Sequence, residues 1–291
     1  MTLSITLVSP DPQGLADAVR LLGEALSLST PQPLGPGAVD FTSEGDLTAV
    51  RQAADQALAG ITIDHCVQPA EGRRKRLLIA DMDSTIIGCE CLDELADFAG
   101  VKTAVSEITE RAMRGELEFE GALRERVAML AGLDLSALKA CYEQRVRLNP
   151  GARTLVTTMA AHGARCLLVS GGFTYFTSRV AVAAGFHEDR ANRMIEADGA
   201  LTGAVADPIL GREAKLAALT EESERLGLDL SKSVAIGDGA NDLAMIEAAG
   251  LGIAYRAKPL VAARAAARID HADLTALLYF QGYRIEDFAA N

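Results

Sequence analysis

Leu77-Leu78-Ile79-Ala80-Asp81-Met82-Asp83-Ser84-Thr85 is a short apolar run that ends abruptly in acidic and hydroxyl residues. Four consecutive apolar residues between polar flanks predict a strand buried on both faces. The pattern recurs twice: Cys166–Val169 leads into Ser170-Gly171-Gly172, and Val234–Ile236 leads into Gly237-Asp238-Gly239-Ala240-Asn241-Asp242. Such runs, alternating with helical periodicity, predict βαβ units and a parallel sheet. In open sheets of this kind ligands sit at the carboxyl ends of the strands, so all three polar clusters are expected in one crevice.

Outward from that centre, the stretch between the first two clusters reads as helix only, with periodic segments at Leu92–Ala99, Thr103–Arg114, Phe119–Leu130 and Ser136–Arg147. A helical cap over the sheet edge is expected there. Arg193–Ile195 and Ala204–Val205 flank Asp198-Gly199, a dipeptide of tight hairpin turns, and this hairpin reads as a decoration on the core. Toward the N-terminus a strand at Ile5–Ser9 precedes Asp11-Pro12, a helix cap and first helical residue. Leu15, Val19, Leu22 and Leu26 share one face of the helix that follows. The Pro/Gly-rich stretch from Thr30 to Gly37 breaks the pattern before a strand at Ala38–Thr42, a helix at Leu47–Leu58 and a strand at Ile61–Val67. The order β-α-β-α-β resembles a ferredoxin-like or ACT-type module and carries no chemistry of its own. Gly72-Arg73-Arg74-Lys75-Arg76 reads as a basic, solvated linker rather than a nucleic-acid patch.

The 291 residues suffice for about two domains. With 49% hydrophobic and 23% charged residues the chain is globular in composition, and with 4% aromatics and no Trp it lacks base-stacking platforms. A net charge of −12 opposes attraction to phosphate backbones or anionic lipid. An anionic ligand therefore requires a local positive site, and neither a nucleic-acid nor a membrane partner is expected. No basic segment followed by an apolar one opens the chain, and no window holds 18 consecutive apolar residues, so export and membrane spanning are not expected. Five scattered cysteines (Cys66, Cys89, Cys91, Cys141, Cys166) make neither a disulfide framework nor a zinc site, which points to a reducing cytoplasm.

Two carboxylates two residues apart at a strand end, Asp81 and Asp83, can serve as nucleophile or metal ligand and as acid/base. The bland alternative is a turn or helix cap. Ser170-Gly171-Gly172 offers a hydroxyl and unencumbered N–H groups able to cradle a phosphate, although Gly-Gly is common in turns. Asp238, Asn241 and Asp242 place oxygen ligands for a hard divalent cation after another strand. Gly237-x-Gly239 is not a dinucleotide fingerprint, because Asp242 stands where Gly or Ala is needed. Lys215, in Arg212-Glu213-Ala214-Lys215, would pass for a surface lysine outside this context.

Asp-x-Asp-Ser-Thr, then Val-Ser-Gly-Gly, then Lys, then Gly-Asp-Gly-Ala-Asn-Asp, in this order, is similar to the motif set of the haloacid dehalogenase superfamily of phosphatases. With Glu90, Met113-Arg114-Gly115, Phe119, Leu123-Arg124-Glu125-Arg126-Val127, Ala191-Asn192-Arg193 and Leu201-Thr202-Gly203, the chain resembles the phosphoserine phosphatase family over roughly residues 77–275. The resemblance stops short of residues 1–70. It implies an α/β fold with a Rossmann-like parallel-sheet core at 71–85 and 150–291. A helical-bundle cap is implied at 86–149, and residues 1–70 form a small α+β domain of regulatory type.

The implied reaction is Mg²⁺-dependent hydrolysis of O-phospho-L-serine to serine and phosphate, the last step of serine biosynthesis, through an aspartyl-phosphate. Asp81 is then the nucleophile and Asp83 the general acid/base; Asp81, the Asp83 carbonyl and Asp238 hold the metal. Ser170, Gly171 and Lys215 grip the phosphoryl oxygens, Asn241 bonds phosphate or substrate, and Asp242 orients Lys215 or a metal-bound water. In the cap Glu90 and Arg126 meet the substrate's ammonium and carboxylate, while Met113 and Phe119 seal the pocket. Competing readings are the same chemistry on phosphohomoserine or phosphothreonine, a phosphate-storing receiver, and a silent amino-acid sensor. A homodimer through residues 1–70 is a further expectation, and none of the four histidines is assigned to catalysis.

Overall fold

The computed structural model describes residues 1–113 and 116–290, and only the main chain of Met113. An antiparallel sheet comes first: β1 (Thr2–Val8), α1 (Pro12–Leu26), β2 (Gln32–Gly35), β3 (Ala38–Glu44), α2 (Leu47–Ala57) and β4 (Asp64–Pro69). Its spatial order is β2-β3-β1-β4, the ferredoxin-like β-α-β-β-α-β arrangement. The expected β-α-β-α-β order is thus corrected by one strand. β2 lies in the stretch that reads as a breaker, because an edge strand tolerates Pro33 and an irregular register at Pro33/Gly35. Asp11 caps α1 as its composition suggests, accepting from the Gln13 and Gly14 N–H groups.

The second sheet is parallel and contains β5 (Leu77–Ala80). Between β5 and the next strand the chain forms α3 (Cys91–Phe98), α4 (Lys102–Met113), α5 (Phe119–Ala128), α6 (Ser136–Arg145) and α7 (Ala152–Ala161). There follow β6 (Arg165–Phe173), α8 (Thr174–Ala184), β7 (Glu188–Asn192), the hairpin β8 (Met194–Ala197) and β9 (Ala200–Val205), and α9 (Arg212–Arg225). The chain closes with β10 (Ser233–Gly237), α10 (Leu243–Ala248), β11 (Leu251–Tyr255), α11 (Pro259–Ala262), β12 (Ala267–Ile269) and α12 (Ala276–Phe280). The order β12-β11-β10-β5-β6-β7 is the doubly wound one. Its reversal falls between β5 and β10, the switch point where such sheets open a crevice, and the two acidic clusters follow these two strands.

Both faces of the sheet are buried, which explains the unbroken apolar runs. Leu78 and Ala80 of β5 join Cys166, Leu168, Val234 and Ile236 in one core. Leu77 and Ile79, of opposite parity, join Leu167, Val169, Ala235 and residues of α9 and α10 in the other.

α3–α6 form the cap. It is tied to the core by Gly88 N–H donating to Arg147 O at 3.2 Å and Asn149 N–H to Ile86 O at 2.8 Å. The hairpin β8–β9 is more than a decoration. Gly132 N–H donates to Leu201 O (2.8 Å), Leu201 N–H to Leu133 O (2.9 Å) and Leu135 N–H to Gly199 O (3.1 Å), so the hairpin grips the loop between α5 and α6.

The antiparallel sheet is likewise covered on both faces. Leu3, Ile5, Leu7, Phe41 and Val67 pack under α1 and α2, while Val8, Ala38 and Cys66 join the core of the parallel sheet. Gln68 Nε2 donates to Phe280 O at 2.6 Å. The basic link is part of this junction rather than a solvated tether: Arg73 pairs with Asp40 at 2.8 Å, Arg74 with Asp287 at 2.8 Å, and Lys75 Nζ donates to Ser231 O at 2.9 Å. Asp64, 2% exposed, accepts from Asp270 N–H (2.8 Å), His271 N–H (3.1 Å) and Ala272 N–H (2.7 Å). Removing that carboxylate strands three donors, each worth on the order of 1–3 kcal/mol to leave unmet. Asp64→Ala is expected to lower the denaturant midpoint by an amount equal to about 3 kcal/mol or more. An unchanged midpoint would show the junction to be energetically idle.

Candidate active site

β5 delivers Asp81 to the crevice, and the turn Met82–Ile86 follows it, closed by Ile87 N–H on Met82 O at 3.0 Å. Ser84 adopts φ 56°, a left-handed conformation uncommon for a side chain with a Cβ. Asp81 and Asp83 precede that kink in extended backbone, two residues apart, and line the same pocket. The Asp83 carboxylate accepts from the Cys91 N–H at 2.8 Å and from the Ser170 hydroxyl at 3.2 Å. Ser170 Oγ in turn accepts from Gly172 N–H at 2.9 Å, which shapes the turn after Val169.

Behind Asp81, Lys215 is 2% exposed and its ammonium lies 2.6 Å from Asp81 Oδ1 and 2.5 Å from Asp242 Oδ1. Asp242 Oδ2 accepts from Asp238 N–H at 3.1 Å and Gly239 N–H at 3.0 Å. Both Asp242 oxygens are therefore engaged. A Cβ on Gly237 would sit 2.4 Å from Asp242 Cγ, so glycine is required for this approach. Thr85 Oγ1 stands 3.5 Å from Asp238 Oδ1.

Nine of the expected site residues line one cavity: Asp81, Asp83, Glu90, Phe119, Arg126, Ser170, Gly171, Asp238 and Asn241. Lys215 and Asp242 lie beneath its floor. The side chain of Met113, like Arg114 and Gly115, lies outside the described residues. From the cap, Phe119 reaches Gly171, where an added Cβ would come within 2.9 Å of its Cζ. Ser84 Oγ donates to Glu90 Oε1 at 2.6 Å. Arg126, 9% exposed, donates from Nε to Ala122 O at 3.2 Å and from Nη1 to Thr109 Oγ1 at 2.9 Å. Sequence reasoning missed Thr109, Thr85 and Arg212, which lines the cavity mouth. It also left Asn192 without a task, though this side chain joins Gly171 O (2.9 Å) to the Leu210 N–H (2.7 Å).

Carboxylate oxygens of Asp81, Asp238 and Asp242 lie within 4.8 Å of one another. With Asp242 saturated by its own donors, Asp81 and Asp238 are left with oxygen available to a hard cation. The Asp83 carboxylate is outside this group. Charge favours a cation as well: Asp81, Asp83, Asp238 and Asp242 share one ammonium. Burial, then Asp242, raises the Asp81 carboxyl well above its ordinary range. Burial, then Asp242, pushes Asp238 up to about 7. Burial raises Asp83, and burial followed by Asp83 pushes Glu90 up to about 8. For Lys215, burial works against the charge, yet Asp242 and Asp81 outweigh it and hold the pKa above the ordinary value. The donor set, all oxygen and anionic, suits a divalent hard cation.

These shifts have a measurable sign. The raised carboxyls bind protons more tightly in the folded chain, so without cation their contribution to stability is complete below about pH 4 and is lost as pH rises through about 7. The Tm of the chelated protein is expected to fall between about pH 5 and 8, and the rise in Tm on adding a divalent cation to grow over the same interval. A chelated protein whose Tm climbs with pH would count against a cation site here.

A family model described as haloacid dehalogenase-like hydrolase matches residues 78–247. A phosphoserine phosphatase of Polaromonas sp. (strain JS666) is 45% identical over 208 residues, 70% of this chain and 88% of that protein. A HAD family hydrolase of Salmonella enterica serovar Typhi superposes with TM-score 0.85 at 28% identity, over 96% of this chain and 98% of that one. A probable phosphoserine phosphatase of Vibrio cholerae superposes with TM-score 0.77 at 31% identity, over 96% and 86%. The two structural likenesses run through the antiparallel sheet, where the motif resemblance stops. The chain belongs to the haloacid dehalogenase-like hydrolases, in the branch of the phosphoserine phosphatases.

Proposed function

We propose that the chain hydrolyses O-phospho-L-serine to L-serine and phosphate, the final step of serine biosynthesis, with Mg²⁺ as its cation. The observation that carries the reading is a single cavity with two chemically distinct walls. On the core side are Asp81, Asp83, Ser170, Gly171 and Asp238; on the cap side are Glu90 and Arg126, a carboxyl group and a guanidinium. A phosphate ester that also bears an ammonium and a carboxylate matches both walls.

Asp81 attacks phosphorus in line, the bond from phosphorus to the serine oxygen breaks, and an aspartyl-phosphate forms. Lys215 on Oδ1 fixes the rotation of that carboxylate. Asp83, whose carboxyl is raised above its ordinary range by burial, acts as the general acid that protonates the departing serine oxygen. It then takes a proton from the water that cleaves the acyl phosphate. Asp81, the Asp83 carbonyl and Asp238 would hold Mg²⁺, which would supply positive charge against the repulsion between carboxylate and phosphoryl group.

Ser170, the Gly171 N–H and Lys215 meet the phosphoryl oxygens, with Asn241 beside them and Asp242 orienting Lys215. Glu90 takes the ammonium and Arg126 the carboxylate, which a planar guanidinium can grip with two donors. Phe119 closes the cavity against water.

A reducing, cytoplasmic setting is part of the proposal; the five cysteines are free. Among the described residues no helix is long and apolar enough to cross a membrane. Residues 1–70 are assigned as a regulatory-type domain, 71–85 and 150–291 as the catalytic core, and 86–149 as the cap. A homodimer through residues 1–70 would have to use the α1/α2 side or the β2 edge, since the other face of that sheet is covered by the core.

Phosphate release from O-phosphoserine, phosphohomoserine and phosphothreonine tests the reading. Turnover should require Mg²⁺, favour phosphoserine, and fall by about 10³ or more in Asp81→Asn. Arg126→Ala should raise KM for phosphoserine by about 10- to 100-fold, the effect of losing a charged hydrogen-bonded partner. Activity that survives Asp81→Asn would sink the mechanism; a KM indifferent to Arg126 would remove the substrate assignment.

A further inference from the structure

Arg126 carries five N–H donors, and two are already committed inside the cap: Nε to Ala122 O and one on Nη1 to Thr109 Oγ1. The commitment of Nε closes the Nε side of the guanidinium. The remaining donors lie along the Nη1/Nη2 end, and Arg126 lines the cavity. Thr109 is itself held. Its hydroxyl donates to Asp93 Oδ1 at 2.9 Å, with Val105 O as a second acceptor at 3.0 Å. Asp93 Oδ2 accepts from Ser106 Oγ at 2.7 Å. One hydroxyl proton cannot serve two acceptors at once, and the anionic carboxylate is the stronger. With the proton on Asp93, a lone pair of Thr109 is left facing Arg126.

We propose that Asp93 and Thr109 are positioning residues for substrate recognition, a chain running Asp93, Thr109, Arg126 that presents the end of the guanidinium to the carboxylate of the substrate. This rests on the phosphoserine reading given above. The hydroxyl between the two charges is the point of the design. A carboxylate in direct bidentate contact would occupy the two donors that the substrate needs, whereas a hydroxyl orients the guanidinium without taking them. Among the described hydrogen bonds Asp93 reaches Arg126 only through Thr109, although its charge also acts on the guanidinium directly. The three residues come from α3, α4 and α5, so the chain also sets how these helices present the pocket to substrate.

The test compares O-phosphoserine with O-phosphoethanolamine, which keeps the phosphate and ammonium but lacks the carboxylate. In Thr109→Val and Thr109→Ala, KM for phosphoserine is expected to rise about tenfold with kcat within about twofold of wild type, while phosphoethanolamine kinetics stay unchanged. Thr109→Ser should restore the wild-type KM. Asp93→Ala should give a similar selective rise, less than additive with Thr109→Val because both act through one chain. Phosphoethanolamine turnover reports in each case that the variant is folded.

Equal losses on both substrates would overturn the proposal, since that is what a merely structural pair would do. So would an unchanged KM in Thr109→Val beside a wild type that prefers phosphoserine, and either result leaves the phosphatase reading standing. A wild type that turns over both substrates equally removes the carboxylate site, and with it both the proposal and the substrate assignment.

Discussion

The ammonium of Lys215, wedged between Asp81 and Asp242, is the contact on which the catalytic centre depends. It joins the end of β5, the start of α9 and the turn after β10, three places far apart in sequence. A buried ion group of this kind is costly to assemble and costlier to break, because removal of one member leaves the others charged and dry. Asp242 makes the arrangement coherent, since it holds Lys215 with one oxygen and the backbone of Asp238 and Gly239 with the other. The residue that places the lysine also shapes the loop that carries a metal-ligand candidate, and Gly237 is the residue that lets it come close enough.

The parallel sheet and its three polar strand ends were legible because they are local. An apolar run that stops at an acid reads the same way in sequence as in space, and the switch point then gathers such ends without further information. The N-terminal sheet was legible in part. β2 was missed because Pro33 and Gly35 are signals of a breaker, and only an edge position makes them compatible with pairing. The basic link was misread since nothing local says that Arg73 will find Asp40 on β3. Thr109 and Asp93 were invisible for a similar reason. They stand on different helices, and their meaning comes from Arg126 on a third.

Cap and core are joined by more than a hinge. The two-stranded contact at 86–88 with 147–149 anchors the base of the cap, and the hairpin β8–β9 holds the loop between α5 and α6. Asp198 and Gly199 both take positive φ, 50° and 81°, the turn geometry that suits a two-residue hairpin. A feature that looks ornamental in sequence thus fixes the far end of the helix bearing Arg126. Phe119, at the other end of α5, rests against the backbone of Gly171, so the same helix spans from the turn at Ser170–Gly172 to the hairpin.

The sheet formed by residues 2–69 is covered on one face by its own helices and on the other by α12 and its neighbours, residues near the C-terminal end of the chain. Some 200 residues separate the two partners of that second contact, and synthesis proceeds at about 5–20 residues per second. The nascent N-terminal sheet therefore waits on the order of 10–40 seconds with Val8, Ala38 and Cys66 exposed before its cover leaves the ribosome. During that interval it is an apolar surface without a partner, the kind of species that chaperones bind and that aggregates when they do not.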